Sequence, residues 1–362
     1  MTSKERVLRA LRRQTVDRIP VFMWFHPETT QRLAGTLEIP PQYVGDVLGN
    51  DVRQTWVGNN YAMEGIIHEH NGQTHRDDWG IEWIKVGAFN QILSSPLSGA
   101  NGEAVRRYEF PFRNISTLVG GMDRVMRGAA EYFVGCDVSP CLFEMICRLR
   151  GMEQAMIDLA QQPDLAEDLL EKAAQFACAL SEDACRRYNP DWLWTGDDVA
   201  GQQALMISPS TWRSLVRPRL ARIVQVGKRQ NLPVAYHCCG ALRPIIPDLI
   251  TIGIDVLNPI QCKCPGMDPI ELKKEFGTHL TFMGGVDTID LLPKGTPGEV
   301  LRQTSSLIEE MTQDGGGYIL AASHTVPPET PLENIFALYS AAGIPQEQIL
   351  DRAADVRRAF TR

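Results

Sequence analysis

The chain has 362 residues, of which 44% are hydrophobic and 22% charged, so it is long enough for one large domain or two ordinary ones. Its net charge of -8 argues against a nucleic-acid-binding protein, which normally carries a basic face that neutralises phosphates. The first 18 residues are charged throughout and hold no apolar stretch long enough for a signal peptide or a membrane span, so we expect a soluble protein that stays in the cytoplasm.

The N-terminal half predicts a charged helix, two strands and an insertion. The helix occupies the first 18 residues, and apolar runs at residues 19–24 and 140–143 predict strands. Between them, residues 34–117 contain three tryptophans and many glycines and charges. This composition predicts inserted loops and a small hairpin.

In the C-terminal half, short apolar runs alternate with longer amphipathic segments, a pattern typical of parallel strands joined by crossover helices. The predicted strands are residues 192–195, 233–238, 255–258, 280–283 and 318–322, and the predicted helices are residues 210–229, 242–252, 269–276 and 297–313.

Five strand-helix units in tandem favour a single (β/α)8 TIM barrel that covers residues 1–362, with its catalytic residues at the carboxyl ends of the strands. Polar or glycine positions lie at the end of each strand, at residues 197–198, 237–239, 258, 284–287 and 323–324. A doubly wound sheet gives the same alternation, but it leaves the two N-terminal strands unexplained.

His237-Cys238-Cys239-Gly240 places metal-binding side chains at the end of a strand. Successive side chains on a strand face opposite ways, so His237 and Cys239 share a face. Imidazole and thiolate are ligands that zinc prefers, and a catalytic zinc usually takes three protein ligands. The alternative is a strand end with two core thiols and a hydrogen-bonded histidine.

Nine cysteines, an odd number in a large chain, do not suggest a disulfide framework. Cys141, Cys147, Cys178 and Cys185 fall in apolar or helical segments and are interpreted as packing residues. The other C-terminal thiols, Cys262 and Cys264, form rival zinc ligands, a redox pair or an ordinary loop, and we favour the loop.

Two acids at the end of a strand, Asp197 and Asp198, are the candidate catalytic residues. They can supply a further metal ligand, a partner for His237 or a proton-handling group, or they can form a solvated turn into a helix. The candidate substrate-binding residues are Trp24, His26, Asn258 and Asp287. The tryptophans Trp79 and Trp83 fit either an apolar pocket or the core, and His68, Glu69, His70 and His75 are interpreted as a solvated surface.

Several segments together resemble the uroporphyrinogen decarboxylase superfamily, which includes zinc-dependent methyltransferases that exchange methyl groups with corrinoid proteins. These segments are Lys4–Leu11 with Val16–Pro20, Asp78–Trp83, Leu149–Glu153, Gly196–Asp198 with Ser208-Pro209, Gly284–Asp287 with Gly295–Pro297, and Thr330–Ile335. They span nearly the whole chain. The resemblance implies the single barrel.

Within this superfamily, the chain is more similar to the methyltransferases. True uroporphyrinogen decarboxylases carry an arginine-rich stretch after the first strand, whereas residues 22–28 here contain no arginine to hold a tetrapyrrole's carboxylates. His237-x-Cys239 resembles the zinc pair of the methyltransferases. Their third ligand is a cysteine, and His324 stands in the corresponding place.

The resemblance implies a zinc site formed by His237, Cys239 and His324. Two histidines and one thiolate leave the ion with a charge of +1, which suits polarising an ether or alcohol oxygen. We therefore expect demethylation of a methoxylated substrate, with the methyl group passing to cobalt on a separate corrinoid protein. Transfer to a thiol stays open within the same class.

Two other functions remain open at this point. One is metal-independent decarboxylation of a small or tetrapyrrole carboxylic acid by Asp197 or Asp198, and the other is a non-catalytic accessory that docks a corrinoid domain. The chain contains no Asp-x-His-x-x-Gly segment of the type that holds the lower ligand of cobalamin, so the corrinoid is expected on a partner.

Overall fold

A computed structural model describes residues 1–58 and 70–360 of the chain. The chain divides into two compact units. The first unit comprises Met1–Arg53, Gly128–Phe133 and Val256–Arg362, and the second unit comprises Gln54–Arg127 and Val134–Asp255.

The strands within the described residues are β1 (Val52–Trp56), β2 (Thr74–Arg76), β3 (Glu82–Val86), β4 (Phe89–Ser94), β5 (Phe133–Asp137), β6 (Trp192–Gly196), β7 (Val234–His237), β8 (Val256–Ile260), β9 (Thr281–Val286) and β10 (Tyr318–Ala322).

The helices are α1 (Ser3–Leu11), α2 (Pro27–Leu37), α3 (Val44–Leu48), α4 (Gly102–Arg107), α5 (Ile115–Val119), α6 (Met122–Met126), α7 (Phe143–Arg150), α8 (Met152–Gln161), α9 (Pro163–Tyr188), α10 (Pro209–Thr211), α11 (Arg217–Arg229), α12 (Ile246–Ile252), α13 (Pro269–Phe276), α14 (Leu291–Lys294), α15 (Pro297–Thr312), α16 (Leu332–Ala341) and α17 (Gln346–Phe360). Short 3₁₀ turns lie at Pro41–Tyr43, Phe112–Asn114 and Arg243–Ile245. Across the described part of the chain, none of these helices combines the length and the apolar character needed to cross a membrane.

In the second unit, β1, β5, β6 and β7 are neighbours in this order. The pairs β5–β6 and β6–β7 are parallel, and Gly196 at the end of β6 stands opposite His237 at the end of β7. All five residues of β5 and of β6 are buried, as expected for parallel strands covered by helices on their faces. The carboxyl ends of β6 and β7 therefore lie at the same edge.

In the first unit, β8, β9 and β10 are parallel neighbours with helices between them. The chain before α2 also pairs with this unit, since Val21 forms a bridge to Leu320 of β10 and Phe25 forms one to Val326. Parallel strands that alternate with helices make this an α/β fold.

Two of the predicted strands differ in the structure. Residues 19–24 form only isolated bridges, and residues 140–143 are not a strand: β5 ends at Asp137 and α7 begins at Phe143. The apolar run there belongs to the start of a buried helix, because Phe143, Met145 and Ile146 all lie in the core. A short apolar run fits either a buried strand or a buried helix, so periodicity did not separate the two.

The predicted insertion at residues 34–117 contains both a hairpin and a strand of the parallel set. The antiparallel sheet β2–β3–β4 is the expected small hairpin region. However, β1 also falls within these residues and neighbours β5. The predicted helix at 210–229 forms, with a π-helical turn at Trp212–Val216 just before Pro218, which lacks a backbone N–H.

Candidate metal centre

Three side chains that can bind a metal converge at the carboxyl edge of β6 and β7 in the second unit. The Nε2 atom of His237 lies 3.6 Å from Sγ of Cys239 and 3.9 Å from Oδ1 of Asp198. One ligand atom from each residue lies within 4.8 Å of the other two, and all three residues are half-buried. Among the described residues, this is the one group of three or more such side chains.

The spacing of these atoms fits one small cation. Ligand distances of 2.0–2.3 Å place the ligands of a tetrahedral zinc about 3.3–3.8 Å apart. The two distances from His237 lie at or near this range. The three ligand atoms are therefore close enough together to be candidates for holding one cation.

A backbone N–H just after β7 holds a side chain just after β6. The N–H of Cys239 donates to Oδ1 of Asp198 at 2.8 Å, so a carboxylate just after β6 is oriented by a residue just after β7. The indole ring of Trp194 lies 6.3 Å from the imidazole of His237, with an angle of 34° between the planes. These contacts limit the movement of Asp198 and His237.

Cys238 is excluded from the group by its burial. Its side chain faces away from solvent, with no exposed surface, and its thiol donates to the carbonyl of Cys239 at 3.3 Å. Burial raises the pKa of this thiol well above its ordinary value, so it stays protonated, whereas the thiolate is the form that binds metal.

A glycine allows the loop after the metal pair to turn tightly. Gly240 has φ +89°, and a Cβ atom there would lie 2.3 Å from the carbonyl oxygen of Gly201. The next residue, Ala241, donates its N–H to the same carbonyl at 2.9 Å. Only glycine permits both the positive φ and this close approach.

Asp197 is completely buried and does not belong to the group of ligands. Its Oδ2 accepts from the N–H of Phe143 at 2.9 Å and its Oδ1 accepts from the N–H of Glu144 at 2.7 Å, both at the start of α7. Burial raises the pKa of this carboxyl to about 7, although the two amide donors favour the charged form. The structure thus separates the two acids that the sequence analysis treated together.

The other predicted residues lie in the first unit. The Nδ1 atom of buried His26 accepts from the N–H of Glu28 at 3.2 Å, at the start of α2, and half-buried Trp24 packs edge-to-face on Phe22. Asn258 is buried within β8.

Asp287 follows β9. It accepts the N–H of Ile289 at 2.8 Å and pairs with Lys263 at 3.3 Å. His324 is half-buried and follows β10.

The remaining cysteine, tryptophan and histidine candidates within the described residues do not belong to the group of ligands. Cys264 donates to Oε1 of Gln261 at 3.6 Å, and burial raises the pKa of Cys262 to about 11. Trp79 and Trp83 are buried, and Trp83 donates to Asp77. His70 and His75 do not belong to the group of ligands. His68 and Glu69 lie outside the described residues.

Sequence reasoning missed two residues that position the group. A Cβ atom at Gly196 would lie 2.8 Å from Cβ of Ser139 and 3.2 Å from Cβ of His237, so this position needs a glycine. The hydroxyl of buried Tyr236 donates to the carbonyl of Asp197 at 3.1 Å. A glycine at the last position of a buried strand is the signal that was available, because it often marks a close approach.

Comparisons with known proteins find both methyltransferases and decarboxylases. The chain is 26% identical over 233 residues to a methylated-thiol--coenzyme M methyltransferase of Methanosarcina mazei, covering 63% of this chain and 58% of that protein. It is 27% identical over 181 residues to the methylcobamide:CoM methyltransferase MtaA of Methanosarcina barkeri, covering 50% and 49%. The chain thus spans about half the length of these two relatives.

A uroporphyrinogen decarboxylase of Anaeromyxobacter sp. is 23% identical over 375 residues, covering 93% of this chain and 97% of that protein. A solved structure described as a methyltransferase from Methanosarcina mazei superposes with a TM-score of 0.70 at 18% identity, covering 95% of this chain and 98% of that one, and thereby shows a shared fold. The family model "Uroporphyrinogen decarboxylase (URO-D)" matches residues 135–343. More than half of the chain is covered by this match, and the chain belongs to the uroporphyrinogen decarboxylase (URO-D) family.

Proposed function

We propose that this chain is a zinc-dependent methyltransferase that moves a methyl group between a small substrate and a separate corrinoid protein. The observation that carries the proposal is the convergence of His237, Cys239 and Asp198 at the carboxyl edge of the parallel strands, where enzymes of α/β folds place their reactive groups. The names of two relatives pair methyl transfer with coenzyme M, and one also names a methylcobamide.

The ligand set suits zinc. It combines an imidazole nitrogen, a thiolate sulfur and a carboxylate oxygen, each of which zinc accepts. When bound, zinc would supply a Lewis-acidic centre that holds a substrate thiol in its nucleophilic, deprotonated form. Asp198 and Cys239 together provide two negative charges, and His237 provides none in its neutral form.

This charge count favours a thiol as the small substrate. Two negative charges balance a divalent cation, as two thiolates and a histidine would, whereas two histidines and one thiolate leave a charge of +1. The methoxylated substrate favoured by the sequence depends on the second set, in which His324 is the third ligand. His324 as a ligand, and Trp24, His26, Asn258 and Asp287 as substrate-binding residues, stay predictions.

We also propose that the chain forms the eight-stranded barrel that its sequence predicts. Val21 bridges Leu320 of β10, and its carbonyl accepts the N–H of Asp51, the residue before β1, at 2.7 Å. These two contacts support the interpretation of the segment around Val21 as a strand of that barrel.

Elemental analysis of the purified protein tests the metal site. We expect near-stoichiometric zinc in the wild type and at least a tenfold weaker affinity in His237→Ala, Cys239→Ala and Asp198→Ala. Cys238→Ala is the matched control, because it removes the neighbouring thiol that is buried and protonated. Equal loss of zinc from Cys238→Ala, or retention in His237→Ala, would contradict the assignment.

A methyl-transfer assay tests the reaction and its direction. The enzyme is mixed with methylcobalamin and a panel of thiols, and separately with a reduced corrinoid protein and a panel of methoxyarenes, while methylcobalt absorption is followed. We expect this absorption to fall with a thiol. A change in the methoxyarene arm alone would favour demethylation, and release of CO₂ from a carboxylic acid with no methyl transfer would favour a decarboxylase.

A further inference from the structure

Asp197 joins three segments of the second unit at the edge that carries the candidate metal centre. The segment before α7 is hydrogen-bonded to β6. The N–H of Val138 donates to the carbonyl of Trp194 at 3.0 Å, and the N–H of Cys141 donates to the carbonyl of Gly196 at 3.0 Å. The carboxylate of Asp197 continues this series by accepting the first two amides of α7 at 2.9 and 2.7 Å. Its side chain therefore fixes β6 to the start of α7.

The backbone of Asp197 is held from the opposite side. Its N–H donates to the carbonyl of His237 at 3.0 Å, and its own carbonyl accepts both the hydroxyl of Tyr236 at 3.1 Å and the N–H of Val199 at 2.8 Å. Asp198 is the next residue in the chain. Two members of the metal group, His237 and Asp198, are thus connected directly to the peptide of Asp197.

Direct contact between Asp197 and a substrate does not fit these surroundings. The residue has no exposed surface, and each carboxylate oxygen accepts a backbone amide. A simple helix cap would hold α7 alone, whereas here the same residue also anchors the peptide bonded to His237. The position is therefore suited to fixing neighbouring ligands rather than to touching substrate.

We propose that Asp197 is a positioning residue of the metal centre: its carboxylate, bound to the start of α7, keeps Asp198 and His237 at the spacing that one cation requires. The inference rests on the proposed function, because it assumes that the group of Asp198, His237 and Cys239 binds a metal. Removing the carboxylate leaves the buried amide of Phe143 and the part-buried amide of Glu144 without this acceptor, and it frees the end of β6 to shift. Loss of metal affinity follows from that shift.

The test measures zinc affinity by competition with a chromogenic chelator in the full chain, and records the visible spectrum of the Co²⁺-substituted protein. We expect Asp197→Ala to bind zinc about 10–100-fold more weakly, the range typical of residues that orient metal ligands, and to change the Co²⁺ absorption bands. Asp197→Asn keeps the size and one acceptor oxygen, so it is expected to recover part of the affinity. It also provides a second reading should Asp197→Ala fail to fold.

Asp51→Asn is the matched control, since Asp51 is an equally buried carboxylate in the first unit. We expect it to lower stability while leaving zinc affinity and the Co²⁺ spectrum unchanged. Wild-type affinity in both Asp197 variants, or an equal loss in Asp51→Asn, would overturn the inference. Wild type and His237→Ala are measured in the same series. If the wild type fails to bind zinc, both the proposed function and the inference fail. If the wild type and the Asp197 variants bind zinc equally well and only His237→Ala loses it, the inference alone fails.

Discussion

Gly196 shows how tightly the end of β6 is packed. Any Cβ atom there would stand 2.8 Å from Cβ of Ser139 and 3.2 Å from Cβ of His237. The first distance is shorter than side chains tolerate, so an alanine must push the two neighbours apart. One of these neighbours is a candidate metal ligand.

We therefore predict that Gly196→Ala lowers the free energy of unfolding by about 1–3 kcal/mol, as overpacking does, and also weakens zinc binding. Urea denaturation and the chelator competition check the two effects. Gly298→Ala is the control, because it lies in the first turn of α15 and its Cβ would meet no atom within 4 Å. Gly298→Ala is expected to be neutral or slightly stabilising; a comparable loss in both variants would contradict the packing argument.

At the scale of single residues, the sequence was most informative where side-chain alternation applies. The period of two along a strand predicts that His237 and Cys239 share a face and that Cys238 points the other way. The same period says that Asp197 and Asp198 face opposite ways. It does not say which of them meets His237, because that depends on the residue at which β6 ends and on the position of α7.

Asp51 links the N-terminal helix to the strands of the first unit. Its buried carboxylate accepts from the hydroxyl of Ser3 at 2.8 Å, from Arg6 at 2.6 Å, from Arg18 at 2.7 Å and from the N–H of Val21 at 2.8 Å. The Asp17-Arg18-Ile19-Pro20 segment thus has a structural role, because Arg18 satisfies a carboxylate with no exposed surface.

We predict that Asp51→Ala lowers the free energy of unfolding by about 3–5 kcal/mol, because it leaves the charges of Arg6 and Arg18 without their buried partner. Urea denaturation measures the change. Asp355→Ala removes an exposed acid that pairs with Arg358 on α17, and it is expected to change stability by less than about 1 kcal/mol. Similar effects of the two substitutions would show that Asp51 does not anchor this region.

Asp17 adds a pH dependence to the same region. Its hydrogen bond from Arg6 at 2.7 Å lowers the pKa of the carboxyl far below its ordinary value. Because the folded pKa is lowered, the stabilisation is complete above about pH 4 and is lost as the pH falls below that value. The side chain is 40% exposed, which limits the effect to about 1 kcal/mol or less.

The corresponding prediction is that Asp17→Asn is slightly less stable than the wild type at pH 7 and that this difference becomes smaller as the pH falls below about 4. Chemical denaturation at a series of pH values between 2 and 7 measures it. A difference that grows as the pH falls would have the wrong sign and would reject the role of the Arg6 pair.

At the scale of elements, the sequence located the strands of the C-terminal half because each is a continuous apolar run followed by an amphipathic helix. It missed β1, whose sequence Val-Arg-Gln-Thr-Trp is only partly buried and lies in a region rich in glycine and charge. It also missed β5, which ends in an aspartate and precedes a longer apolar run. In both cases tertiary contacts outweigh the local pattern.

For the molecule as a whole, the family and its fold were predicted from motifs spread along the chain rather than from any single element. The family match covers residues 135–343, and the superposition covers 95% of the chain. The substrate is not decided at this scale. Under the proposed function it depends on the charge of the metal ligands, which neither composition nor topology determines.

Zinc is nevertheless expected to act on the whole molecule through linkage. A ligand that binds only the folded state stabilises it by about 2.7 kcal/mol at a concentration one hundred times its Kd. For a chain of this length unfolding in one step, such a gain corresponds to a rise in Tm of about 4 °C. We predict this rise for the wild type and for Cys238→Ala, and no rise for His237→Ala, in thermal melts with and without zinc. An equal rise in the Tm of His237→Ala would place the stabilising zinc elsewhere in the chain. Removal of zinc with a chelator should return the wild type to the Tm of the variant.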